Sequence, residues 1–386
     1  MEAPNSIHDL IKTLMDTEKP FPPHLLHYFS DIQPEDRRVL ANAWRAVPAS
    51  RRITLMQDLV ELAETDHLMM FEDIGRIALE DEEGECKVNG ISLLLEAEDP
   101  KLVPSFTRLL ADLKEPEFVR AAAANALGFY VYLGELEELM PELLHTIEDA
   151  LLSAYKNDPS ELAQRRALES LGYSCREEVP ALLRQAAARD KAEWLESALF
   201  AMGKSADNQW ESLVMDHIDD DNSDVKGQAI HAAGELALSA ARSRLLRQVD
   251  RESDDYLRSE MIWALSQIGG EGIEEKFEAM LAKTDDDEEY NLLEEALDML
   301  HFTNETAGFE MMEVGIHHEH ASHDEDEEES ELWDTIEDDD EYDLDDPDDF
   351  DDEEWQRYVD EDEEDLDGSL EDSYTLDDDD DDEDDL

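Results

Sequence analysis

The chain is short of bases, of cysteine and of long apolar runs. Its 386 residues carry 30 Lys and Arg against 107 Asp and Glu, a formal net charge of −77. So few bases argue against direct nucleic-acid binding, because each phosphate contact needs a Lys or Arg. They argue equally against anionic membrane surfaces. Only two cysteines occur, Cys86 and Cys175, far apart and without a C-x-x-C. That argues against a disulfide framework and for a reducing compartment. Residues 1–14 have no basic stretch followed by a long apolar run, so no signal peptide is expected. The longest weakly polar stretch, residues 121–134, falls short of the roughly 20 residues a membrane span needs. The expectation is a soluble, cytoplasmic protein. Catalytic signatures are missing too: there is no G-x-S-x-G, no Gly-rich phosphate loop and no H-E-x-x-H.

What is abundant is acid, and it concentrates at one end. Residues 317–386 hold 41 Asp and Glu and a single base, Arg357, for a net of −40. Large apolar groups interrupt the acids: Trp333, Tyr342, Phe350, Trp355, Tyr358 and Tyr374. Such a segment cannot bury enough apolar surface to offset its ordering entropy, so a disordered tail is expected. Residues 1–316 are acidic as well, with 66 acids and 29 bases. An acidic proteome would account for that excess, but not for its concentration in the tail.

Three readings of the tail stand side by side. In one it grips a basic protein or nascent chain, its acids neutralising Lys and Arg while Phe350, Trp355 and Tyr358 anchor. Trp355, Tyr358 and Val359 are spaced i, i+3, i+4, so a helical turn can form on contact. This composition is like that of histone chaperones and other escorts of basic proteins, by analogy alone. In the second the tail folds back on the body, where Arg242, Arg244, Arg247 and Arg251 make a basic stripe. Further arginines cluster at Arg37, Arg38, Arg45, Arg51 and Arg52. In the third the tail only maintains solubility.

The body repeats. From Val119, offsets +4, +5, +7, +8 and +9 read Ala123, Ala124, Ala126, Leu127 and Gly128. The template recurs from Ala163, Trp194, Val225 and Leu257, and more loosely from Cys86 and Leu292. A period in this range marks a solenoid, and the offsets are those of one helical face. Small residues at +4 and +7 admit a close neighbour, and Gly at +9 suits a helix end in the left-handed conformation. A second apolar helix lies between copies, for instance within residues 178–191, 208–221 and 272–285. Each unit is then two antiparallel helices of about 10–14 residues. Acids and Asn near residues 115, 221, 252 and 285 mark helix starts. A base follows the start position in four copies, Lys87, Arg120, Lys226 and Arg258. It either reaches an acid of the adjacent unit, making a ladder, or forms an isolated surface pair. The longest interval holds an insertion at residues 129–156, read as a lengthened helix with a turn at Gly134.

Residues 1–85 depart from the template and are expected to form an N-terminal helical cap, with breaks at residues 19–24, Pro34 and Pro48. Trp44, Leu55, Leu59 and Leu62 lie on its helix faces. The repeats then span 86–301, a junction 302–316 and the tail 317–386.

The segments VRAAAANALG, LESALFAMGKSAD, VKGQAIHAAGELAL and LRSEMIWALSQIGG resemble HEAT repeats, and more narrowly the subtype first named from phycobilisome lyases. The resemblance covers roughly residues 70–301. It implies an all-α fold, a right-handed α-solenoid of helical hairpins in an α–α superhelix. Proteins of this type are mostly binding scaffolds, with a minority of enzymes. The deoxyhypusine hydroxylase branch holds two irons with repeated His-Glu pairs, and the body here has no His-Glu dipeptide. The bilin lyase branch attaches a tetrapyrrole and shares its repeats with non-enzymes.

Two other candidates have bland alternatives. Cys175 beside Arg176 is either an activated thiol or a small turn residue, and Cys86 is a packed start residue. His317, His318, His320 and His323 are either a weak metal site or a titratable hinge. The reading is a non-enzymatic binding or escort scaffold for a partner with basic surface, with no cofactor and no small-molecule substrate expected. A bilin lyase and a passive-tailed or autoinhibited assembly adaptor are the alternatives. Adjacent charges on an extended chain lie about 3.5 Å apart, inside the ~8 Å Debye length of physiological salt. The tail is therefore expected to repel itself. Small-angle scattering of the full chain should show contraction on raising salt to about 0.5 M, and unchanged dimensions would sink the polyanion reading.

Overall fold

A computed structural model describes residues 6–95 and 97–319, with side chains through residue 303. These belong to the first of the two units that contacts define, Met1–His320 and Ala321–Leu386. The acidic tail with Phe350, Trp355 and Tyr358 lies outside the described residues, as do His320 and His323. Every regular element among the described residues is helical. No described helix is long and apolar enough to cross a membrane.

The chain begins with α1 (Ile7–Met15), α2 (Pro34–Trp44), α3 (Ala49–Thr65) and α4 (Glu72–Leu79). Proline sets these boundaries as expected. Pro34 opens α2, where its fixed φ and missing N–H are harmless, and Pro48 is the N-cap of α3. Leu40, Trp44, Leu55 and Leu59 close a core shared with Cys86 of the next helix.

From there the template helices alternate with a second set. The template helices are α5 (Gly84–Ser92), α7 (Glu117–Glu135), α9 (Glu161–Ser170), α11 (Ala192–Lys204), α13 (Ser223–Glu235), α15 (Asp255–Ile268) and α17 (Asp287–Glu319). Between them run α6 (Val103–Ala111), α8 (Pro141–Asn157), α10 (Val179–Ala187), α12 (Glu211–His217), α14 (Ser239–Gln248) and α16 (Ile273–Leu281). Apart from α8 and α14, the second set is shorter than expected, at 7 to 9 residues. Each template helix packs on the next, so they form one row headed by α3. The second set packs mainly on the template helices flanking it in sequence. One apolar core runs from Leu79 to Leu300 between the two rows. This is an α-solenoid.

Glycine at +9 has a different role from the expected one. Gly128, Gly203 and Gly234 lie inside their helices, and Gly172 in a 3-10 turn, all without positive φ. They are contact points. A Cβ on Gly172 would come 2.6 Å from the Cα of Ala201, and one on Gly234 2.9 Å from the Cα of Ala264. Backbone approaching backbone this closely admits no side chain at that position. The left-handed residues come three positions after Gly134, Gly203 and Gly234, at Glu137, Ala206 and Ala237. At Ala237 the chain closes with Leu238 N–H donating to Ala233 O at 2.9 Å and Ala237 N–H to Gly234 O at 2.8 Å, a Schellman arrangement. Gly134 likewise sits inside the lengthened α7, and the turn follows it.

The basic residues form the ladder. Lys87 bridges to Glu115, Arg120 to Asp158, Lys226 to Glu252 and Arg258 to Glu289. Each rung joins a template helix to an acid at the entry of the next. Arg120 donates twice to Asp158, at 2.8 Å each, and both groups are buried. Asp158 also caps the chain entering α9 by accepting from Ser160 N–H at 2.8 Å. Burial alone would raise its carboxyl, but the Arg120 and Ser160 hydrogen bonds hold it below the ordinary value.

The ladder starts earlier than the template suggested. In α3, Arg52 donates to Asp81 at 2.7 and 2.9 Å, and Trp44 Nε1–H joins at 2.6 Å. Removing one partner of such a pair strands a buried charge. Arg120→Ala should therefore cost on the order of 3–5 kcal/mol, read as a lowered urea midpoint. Lys191→Ala, which breaks an exposed pair with Glu161, should leave the midpoint nearly unchanged.

Candidate functional site

The core offsets of the template leave its other columns to face outward. Read down the copies, offset +6 gives Asn125, Glu169, Phe200, His231 and Trp263. Offset +10 gives Phe129, Tyr173, Lys204, Glu235 and Gln267. Apart from Glu169, which is buried and accepts from the Ser197 hydroxyl, these two columns make the open face of the template row. The signal was the same repeat, read at offsets outside the core face.

A groove of about 520 Å³ opens on this face over α7, α9, α11 and α13. Phe129, Tyr132, Tyr173 and Phe200 line it, above a floor that includes Gly128 and Ser170. The floor is low because Ser170 packs where a side chain on Gly128 would be, and its hydroxyl donates to Ala124 O at 2.8 Å. Tyr132 and Tyr173 meet edge-on with ring centroids 5.7 Å apart. Lys204 places its ammonium 5.5 Å from the Phe200 centroid and 6.0 Å from that of Tyr173. It donates to Glu235 at 2.6 Å.

From Glu235 a charged network crosses three helices. His231 lies 3.3 Å from Glu235 and 3.0 Å from Glu260, and its ring stacks on Trp263 with centroids 4.2 Å apart. Burial alone would lower the imidazole, but hydrogen bonds to Glu235 and Glu260 raise it to about 9. Glu235 falls to about 2, chiefly through His231, against the opposing effect of burial. His231 is thus an imidazolium at neutral pH, donating from both nitrogens.

Nearer the helix starts the face turns acidic. The Tyr256 ring lies against Gly227, where a Cβ would come 2.6 Å from its Cε1. Tyr256 remains 52% exposed as a residue. Glu196 and Asp224 have no ion-pair partner among the described residues. The Glu196 carboxyl is raised by burial first and then by Asp224, with Arg165 opposing.

The arginine stripe is divided. Arg242 donates to Gly269 O at 2.9 Å, and Arg244 bridges to Asp219. Arg244 is a rung of a second ladder, on the other row, continued by Lys276 to Asp250 at 2.5 Å. Arg247 and Arg251 are exposed. In the other cluster Arg51 and Arg52 are buried: Arg51 donates to Asp16 O and Lys19 O, and Arg52 pairs with Asp81. Arg37 pairs with Asp73 at 3.2 Å, while Arg38 and Arg45 are exposed.

Cys175 is exposed, but Arg176 does not activate it. That guanidinium pairs with Asp149 at 2.5 Å and Glu178 at 2.9 Å. A hydrogen bond with Glu135, then burial, pushes the thiol up to about 11. Cys86 is fully buried. His317 and His318 lie in α17, with side chains outside the described set. No cluster of three or more metal-ligating side chains occurs among the described residues.

The family model described as HEAT repeats matches residues 190–266 and 211–300. No curated protein matches the chain. Among solved structures, the Escherichia coli protein YibA is similar over 78% of this chain and 98% of its own, at 14% identity and a TM-score of 0.37. Human deoxyhypusine hydroxylase, in complex with glycerol, is similar over 77% and 96%, at 16% identity and a TM-score of 0.31. The chain is an α-solenoid, and its residues 190–300 match the HEAT-repeat model.

The His231 network makes a pH prediction. A group whose folded value exceeds its ordinary 6.5 stabilises fully below 6.5 and loses that contribution as pH rises through about 9. His231→Gln should therefore lower the urea midpoint at pH 7. The gap from the unaltered chain should close as pH approaches about 10; a gap independent of pH would refute the imidazolium assignment.

Proposed function

We propose that this protein is a non-enzymatic scaffold that holds or escorts a protein partner with a basic surface. The observation that carries this reading is the open face of the template row, where the partly exposed rings of Tyr132, Tyr173, Phe200 and Tyr256 share the surface with Glu196 and Asp224, carboxylates that form no ion pair among the described residues. Aromatic rings attract cations through their π faces, and carboxylates pair with them. A net charge of −77 adds a long-range field that draws basic proteins and repels acidic ones. The tail, through Phe350, Trp355 and Tyr358, is a second grip on the same partner. Its alternative role, screening the exposed Arg247 and Arg251, leaves the basic-partner reading intact. The repeats are of the phycobilisome-lyase-like type on the motifs quoted above. That kinship does not require lyase chemistry, and absorbance titration with a tetrapyrrole separates a lyase from a scaffold.

The test is a binding titration of the full chain with fluorescent oligolysine and oligoglutamate, across salt. Binding of the first only, weakening steeply with salt, is the expected result. Equal binding of both, or of neither, refutes the proposal. Repeating it with the chain ended at residue 316 apportions the affinity between tail and body.

A further inference from the structure

The open face of the template row has two neighbouring parts of different chemistry. One is the groove walled by Phe129, Tyr132, Tyr173 and Phe200. The other is Tyr256, laid against the Gly227 backbone, with Glu196, Asp224 and Glu260 as its electrostatic neighbours. Both parts are built from successive copies of one repeat, so they advance along the face in the same direction. Resting on the basic-partner reading, we propose that this face receives an extended, arginine-bearing segment of a partner protein. An arginine lies against Tyr256 between Glu196 and Asp224, and the neighbouring residues enter the aromatic groove.

Three observations favour that occupant. The groove already displays the interaction in miniature: the Lys204 ammonium sits near two rings and is neutralised by Glu235 at 2.6 Å. The face is therefore built to hold a cation over rings with a carboxylate behind it. At Tyr256 the ring and the carboxylates are present, Glu260 is paired with His231 and Arg165 partly offsets Glu196, and neither Glu196 nor Asp224 forms an ion pair among the described residues. The Tyr256 hydroxyl is raised, by burial first and then by Glu260, Asp224 and Glu196, as nearby negative charge does to an acid.

Geometry selects arginine over lysine. A planar guanidinium stacks on a ring while its edge hydrogen-bonds two carboxylates, which a compact ammonium cannot do at once. An extended segment suits the groove because about 520 Å³ holds a few residues and is open along one side. The tail of this chain is a poor occupant, since its own acids would face Glu196 and Asp224.

The probe is a fluorescein-labelled peptide of alternating arginine and glycine, with lysine and citrulline versions, titrated into the full chain at about 0.5 M salt to screen the tail. Citrulline keeps the shape of arginine and removes its charge. The expected order is arginine, then lysine, with citrulline weakest. Tyr256→Ala and Glu196→Gln should each weaken the arginine peptide about tenfold, the size expected of a partly desolvated cation–π or charged contact. Tyr256→Phe, which keeps the ring, should retain affinity. Both sites are on the surface side of their helices, and circular dichroism verifies that the variants fold. If the arginine peptide binds and neither variant weakens it, the inference about this face is overturned while the basic-partner reading stands. If neither arginine nor lysine peptide binds, even at low salt, both are overturned.

Discussion

The spacing between neighbouring template helices is the constraint on which the rest of the structure depends. It is set where one helix backbone meets the next. Gly172 lies against the Cα of Ala201, and Gly234 against that of Ala264. No side chain fits there, so small residues at these positions are a steric requirement. Close helices also bring their flanking side chains into reach. Rungs such as Arg120–Asp158 and Lys226–Glu252 span from one repeat to the next because the backbones have already converged. The same convergence places Tyr132 edge-on to Tyr173 and His231 onto Trp263. Packing, electrostatics and the open face thus follow from one distance.

Charge is distributed with a purpose that the total conceals. Seven bases are rungs of the two ladders, so they hold the solenoid together. Arg52, Arg120, Arg244 and Lys276 are all of this kind. Acids outnumber bases by far, so carboxylates remain after every rung is made. Glu196 and Asp224 are examples on the open face. An acidic surface arises simply because these bases are committed to structure and the surplus acids are not. In a repeat array stability sums over neighbour contacts, so a buried rung matters most at its own junction.

Much of this could be read from the sequence, for definite reasons. The core offsets were legible because one helical face must stay apolar in every copy. The prolines marked the starts of α2 and α3 because proline is tolerated only at a first turn. The ladder was half legible: the four bases stood in register, and the acids lay near the next helix start. Its first rung was missed because Arg52 and Asp81 sit in a region whose apolar residues fit the template poorly. The glycines were misread, since a helix end and a helix contact both favour glycine and only the backbone distances separate them. The internal partners of Arg242 and Arg244 lie more than twenty residues away in sequence, so they were not legible in it.

The sequence by itself determined the repeat, and with it the class of fold. A period of about thirty residues on a helical face admits no other way to bury the apolar columns. It also fixed the excess of acid. The tertiary structure decided which charges are used up and which rings meet. That depends on which side chains of neighbouring repeats come within a few ångströms, and a linear pattern does not contain that distance. Phe129, Tyr173, Phe200, His231 and Trp263 are scattered along 135 residues of chain and become one surface only when the helices stack.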